Sequence, residues 1–150
     1  MDETNDQGPD ALALLMAEFP RIFRWARPHG SHLSTGWVEL VRELLRDLDA
    51  MLPDSQAFEV LQIKEKFGTL RFYWRLDGEH MVNADLHLPQ GPRRIEIAPD
   101  GAGELFTKIR QRVAQAEKQS EEVCELCGAP GTLDTKGWWK VRCPNCASKV

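Results

Sequence analysis

Apolar residues recur along this chain with two periods, and the switches between them divide it into elements. Residues 1–9 hold almost nothing apolar and are expected to form a disordered tail. Leu12, Leu15, Met16, Phe19 and Phe23 then fall at helical spacing. Asp10 stands where a helix starting at Ala11 needs a cap for its free N–H groups. Pro20 interrupts the run, so the pattern predicts two short helices, or one that restarts where proline suits a first turn. Trp25, just beyond, is expected in the core. The stretch 28–36 is a loop by composition. Its His29 and His32 have no carboxylate or cysteine neighbour, which favours polar loop histidines over ligands or acid–base groups.

The clearest helix is 37–52. Trp37, Leu40, Val41, Leu44, Leu45, Leu48 and Leu52 form one stripe, and Glu39, Arg42, Glu43, Arg46 and Asp47 cover the other face. The period then changes to two. Residues 57–76 read as a hairpin with its turn at Gly68-Thr69, in which Leu70, Phe72, Trp74 and Leu76 share one face. Arg71, Tyr73 and Arg75 share the other. Lys64, Lys66, Arg71 and Arg75 could make a basic strip, but Glu59, Glu65 and Asp77 stand close enough to neutralise it by cross-strand pairing. A short third strand is expected at 94–97, after a loop holding Pro89, Gly91 and Pro92. A last helix, about 104–120, carries Leu105, Ile109, Val113 and Ala116 inward. The fold class is therefore α+β: helices packed on a small antiparallel sheet, as a core domain over 10–120.

The C-terminal segment, 121–150, is of a different kind. Cys124-Glu-Leu-Cys127 and Cys143-Pro-Asn-Cys146 make a C-x2-C-x15-C-x2-C pattern that uses every cysteine of the chain. Two residues between cysteines let a tight turn aim both sulfurs at one ion. The insert is long enough for a hairpin that brings the second pair to complete a tetrahedron. Two disulfides or four unrelated thiols would be the alternatives, but Gly128 after the first pair and Pro144 inside the second favour a C-terminal zinc ribbon. One Zn²⁺ held by Cys124, Cys127, Cys143 and Cys146 would be structural, because four thiolates leave no open position.

Composition narrows the functions. Apolar residues make up 42% and charged residues 28% of the 150, enough for a core. No apolar run approaches the ~20 residues of a membrane helix, and the acidic start is unlike an export signal. Reduced cysteines and a cytoplasmic setting are expected. The net charge of −4 argues against a general nucleic-acid binder. Residues 131–150 nevertheless carry Lys136, Lys140, Arg142 and Lys149 against Asp134, a local +3.

Several strings resemble a family of small proteins encoded in phages, prophages and bacterial genomes. They are Gln62-Ile-Lys-Glu-Lys-Phe-Gly-Thr-Leu-Arg-Phe-Tyr73, Ala116-Glu-Lys-Gln-Ser120, Cys124-Glu-Leu-Cys-Gly-Ala-Pro-Gly131 and the stretch 138–146. Phe19-Pro-Arg-Ile-Phe23 and Gly36-Trp37 are similar to its front half. The resemblance covers about residues 16–147 and implies an architecture and a mobile-element setting, not an activity. This chain departs from the pattern over 77–103, which is longer.

The function expected is a zinc-binding accessory protein of a phage or mobile element that acts by protein–protein contact, as inhibitor or adaptor of a host system. Trp138, Trp139 and Lys140 are the candidate partner surface. Adjacent strand residues point to opposite faces, so one tryptophan is expected to pack and the other to stay exposed. If the contact lies elsewhere, the stretch 77–103 with His80 and His87 is next in line. A nucleic-acid-binding accessory protein using the ribbon is one alternative. A metal-dependent nuclease is the other: Pro53-Asp54 followed by Gln62-Ile63-Lys64 resembles a degenerate carboxylate–x–lysine signature. No catalytic residue is assigned, and no membrane partner is expected.

Overall fold

Asp10 caps the first helix, its carboxylate accepting from the Leu12 N–H at 2.9 Å. In the computed structural model, which describes residues 10–25 and 27–148, α1 (Ala11–Glu18) follows directly. The expected tail 1–9 and Lys149 lie outside the described residues. Helix α1 does not restart at Pro20. The chain turns instead, with the Ile22 and Phe23 N–H groups both bonded to the Phe19 carbonyl at 3.1 Å. That turn swings Ile22 inward and carries Trp25 off the helical stripe, so Trp25 is 55% exposed rather than in the core.

A 3-10 turn, Thr35–Trp37, leads into α2 (Val38–Met51), where Val41, Leu44, Leu45 and Leu48 are all buried. Each such burial stabilises by ~1.5–3 kcal/mol. Strands β1 (Phe58–Lys66) and β2 (Thr69–Leu76) form the expected antiparallel hairpin. Its turn is Phe67-Gly68, one residue earlier than the sequence suggests, with φ of +52° and +77°. Positive φ at both turn residues matches the right-handed twist of the strands. Leu70, Phe72, Trp74 and Leu76 are buried together, as their alternation predicts. Helix α3 (Glu104–Gln119) packs on them through Phe106, Ile109, Val113 and Ala116. Phe106 rather than Leu105 takes the first inward position, its ring 4.6 Å from Trp74.

The outer edge of β2 has little strand cover. The short β3 (Glu79–His80) pairs only with Arg75 and Leu76. Beyond it, α3 supplies side chains in place of a strand. The Ser120 hydroxyl accepts from the Leu70 N–H, and the Glu117 carboxylate from the Phe72 N–H, each at 2.9 Å. An edge whose N–H groups are taken cannot recruit a foreign strand. This gives Ala116-Glu-Lys-Gln-Ser120 a structural reason. Burial pushes the Glu117 carboxyl above its usual range, against the opposing pull of Arg94 and the Phe72 N–H.

The stretch 77–103 differs most from expectation. Rather than one short strand in a loop, it holds β4 (Val82–Leu88) and β5 (Gly91–Ile97), paired only with each other as a second hairpin. The hairpin folds over the polar side of β2. Asp85 pairs with Lys66 and, at 3.6 Å, with Arg71. Arg94 bonds Glu117 at 2.9 Å and lies 5.6 Å over the Tyr73 ring. The basic strip is thus partly covered, and Arg71 is buried. Arg75 does pair across the strands with Glu59. Glu65 and Asp77 do not neutralise the strip; they accept from the N–H groups of Gly68 and Ala57 at 2.7 and 2.9 Å.

Candidate metal centre

Backbone geometry aims the cysteines inward before any ion is considered. In the first knuckle the Gly128 N–H bonds the Cys124 carbonyl at 2.9 Å, and Gly128 holds φ at +81°. That left-handed angle is one glycine adopts without strain. The Cys124 N–H bonds the Ala129 carbonyl at 2.8 Å, closing the turn. Strands β6 (Thr132–Asp134) and β7 (Lys140–Arg142) carry the chain out and back. Pro144 then opens a single helical turn, α4 (Pro144–Ala147), whose capping residue is Cys143. Cys143 Sγ accepts from the Cys146 N–H at 3.3 Å.

The four Sγ atoms lie within 4.8 Å of one another, and Cys127 and Cys143 approach to 3.6 Å. A tetrahedral thiolate site with metal–sulfur bonds of about 2.3 Å has sulfur–sulfur edges of about 3.8 Å. The donor set therefore fits one metal ion such as zinc. Among the described residues it is the one group of His, Cys, Asp or Glu placed to hold a metal. Electrostatics differ between the sulfurs of the set. Burial raises the Cys124 thiol, but the N–H groups of Cys143, Cys127 and Leu126 outweigh it and bring the value down to about 6. Cys146, hydrogen-bonded to the sulfurs of Cys143 and Cys127, is pushed up to about 12. A metal entering such a cluster displaces the protons that remain.

The ribbon is anchored on the core at two glycines. The Gly36 N–H bonds the Glu125 carbonyl at 2.9 Å, and a Cβ at Gly36 would lie 2.0 Å from the Cys124 carbonyl oxygen. Trp37 Nε1 donates to the Val123 carbonyl at 2.9 Å. At the other end, a Cβ on Gly68 would meet Leu133 Cδ1 at 2.6 Å. Sequence reasoning missed this docking, although Gly36-Trp37 and the glycine of the hairpin string both signalled it. It also missed Glu125, which pairs with Arg142 at 2.9 Å beside the cluster.

The chain matches no protein-family model, and no curated protein or solved structure is significantly similar to it.

The structure separates the two ribbon tryptophans. Trp139 is half-buried and meets Phe67 edge-on at 6.3 Å, while Trp138 is 79% exposed. Lys140 is half-buried opposite Asp134 in the β6–β7 register. With Arg142 paired to Glu125, the local basic excess is smaller than the sequence suggests. The residues of the nuclease signature are engaged separately. Asp54 is exposed and paired with Arg21 at 3.1 Å, Gln62 donates to the Gly30 carbonyl, and Lys64 lies over Tyr73. His29, His32, His80 and His87 are exposed, and His87 packs edge-on against Phe67 at 5.6 Å. Among the described residues no helix is long and apolar enough to cross a membrane.

Proposed function

We propose that the protein is a zinc-ribbon accessory protein that works by binding another protein, with Trp138, Trp139 and Lys140 at the contact. Thiolates are soft ligands that select zinc over the hard cations, and a four-cysteine shell is closed to substrate. The ion's role is then to hold the two knuckles of the ribbon together. The observation that carries the reading is Trp138, which stands 79% exposed while its neighbour Trp139 docks on Phe67. A large exposed aromatic beside cations, on a surface held rigid from behind, is the usual anchor of a protein interface. The resemblance of the hairpin and ribbon strings supports a phage or mobile-element setting, with a host system as the target to inhibit or adapt.

Two measurements test this. Metal analysis should find one zinc per chain. Cys127→Ser should release the ion and melt the ribbon, since such sites supply ~10–16 kcal/mol in small zinc peptides. Affinity capture with nuclease treatment should retain a protein partner, and Trp138→Ala should lose it with thermal stability unchanged. A partner that disappears with nuclease moves the ribbon to nucleic-acid binding. Mg²⁺-dependent cleavage abolished by Asp54→Ala and Lys64→Ala replaces the reading with the nuclease.

A further inference from the structure

The outer face of the β4–β5 hairpin is apolar, where a water-facing sheet is ordinarily polar. Val82, Ala84, Leu86 and Leu88 from β4, with Ile95 and Ile97 from β5, share that face and are all exposed. Val82 reaches 58% and Ile97 60%. The hairpin cannot turn over to hide them. A one-residue slip would bring them inward, but it would also strip Asp85 from Lys66 and Arg71, and Arg94 from Glu117. Leaving those partly buried charges unpaired would cost several kcal/mol.

We propose that this face is a homodimer interface, covered by a second copy of the chain packed face to face and antiparallel about a two-fold axis. Area is the first reason. The six residues expose roughly 450–500 Å² per copy, the size of the largest and often functional patch on a typical monomer. Two copies supply roughly 1,000 Å² of apolar surface, and the polar rim brings the total into the ~1,200–2,000 Å² of stable interfaces. Charge is the second. The hairpin is electrically polar along its length. Arg93 shares the apolar face, exposed opposite Leu86 and toward the tip, with no ion pair among the described residues. Glu79 and Asp100, both exposed, stand three residues outside the Val82–Ile97 pair that closes the base. An antiparallel two-fold sets each tip over the partner's base, so cation meets carboxylates twice. A two-fold interface makes each contact in duplicate.

Sedimentation equilibrium of the full chain tests the proposal. The wild type should be dimeric at about 100 µM. Ile95→Lys with Ile97→Lys should raise the dimer Kd by about a hundredfold or more, while circular dichroism of the dilute monomer shows an unchanged fold. Arg93→Glu should weaken the dimer about tenfold, and adding Glu79→Lys and Asp100→Lys should restore it. A wild type that stays monomeric at that concentration overturns the proposal, and the face then belongs to another protein. A dimer that survives the lysine substitutions overturns it too. One that ignores Arg93→Glu rejects the antiparallel arrangement.

Discussion

The two hairpins of the core have the same period and opposite orientations. In β1–β2 the apolar residues of β2 face the helices, and the polar residues point outward. In β4–β5 the polar residues face the body, and the apolar ones point to solvent. The first is held by burial, which is strong, non-directional and tolerant of detail. The second is held by a few ion pairs, Asp85 with Lys66 and Arg71, and Arg94 with Glu117. Such pairs are directional and depend on each partner being present. A period-two pattern thus says that a strand exists, not which side it presents.

The difference should be largest for truncation. Phe72→Ala in the first hairpin should cost ~3–5 kcal/mol, because it empties a fully enclosed site between sheet and helices. Ile95→Ala in the second, read at low concentration, should stay within ~0.5 kcal/mol. Urea denaturation midpoints of the two variants give the contrast directly. Equal costs would mean that the second hairpin's outer face is packed after all.

Turn chemistry sharpens the comparison next. Gly68→Val should destabilise by ~1–3 kcal/mol, since position 68 holds φ at +77° and its Cβ would press on Leu133. Gly78→Val carries a similar φ of +83° with open space around it, so only the backbone part of the penalty should remain. Thermal melts of the pair separate strain from the ribbon contact. Identical shifts would show that the ribbon does not lean on the hairpin tip.

The smallest effect is acid sensitivity confined to the second hairpin. Burial alone would raise the Asp85 carboxyl, but Lys66, Arg71 and Arg94 hold it below its ordinary 3.8. A depressed carboxylate contributes stability above its unfolded value and loses it as pH falls through the folded one. Glu117, whose value is raised, has the opposite sign: its contribution is whole below 4.5 and is lost as pH rises through the folded value. Amide protection across β4–β5, corrected for the intrinsic pH dependence of exchange, should therefore fall as the pH drops below about 4, and Asp85→Asn should remove that dependence at a constant cost of ~1–2 kcal/mol. Protection that is flat with pH in the wild type would mean Asp85 does not hold the hairpin.

Local rules were enough for much of this molecule. The Asp10 cap, the α2 stripe, the alternation through Leu70, Phe72, Trp74 and Leu76, and the cysteine spacing each depend on a few neighbouring residues, and each is found where the sequence puts it. Long-range contact decided the rest. Trp25 is exposed because a turn, not a helix, follows Pro20. Helix α3 serves the edge of β2 through Glu117 and Ser120, groups 45 and 50 residues away in the chain from those they bond. Gly36 owes its identity to the ribbon lying against it, and at Gly68 the ribbon adds to what the turn's positive φ already requires. The second hairpin escaped notice for a related reason. Its alternation is visible in Val82-Asn-Ala-Asp-Leu-His-Leu88, but the pattern carries no sign of which face meets the body. That choice was made by the charges of β1, β2 and α3, which tertiary folding alone brings opposite Asp85 and Arg94.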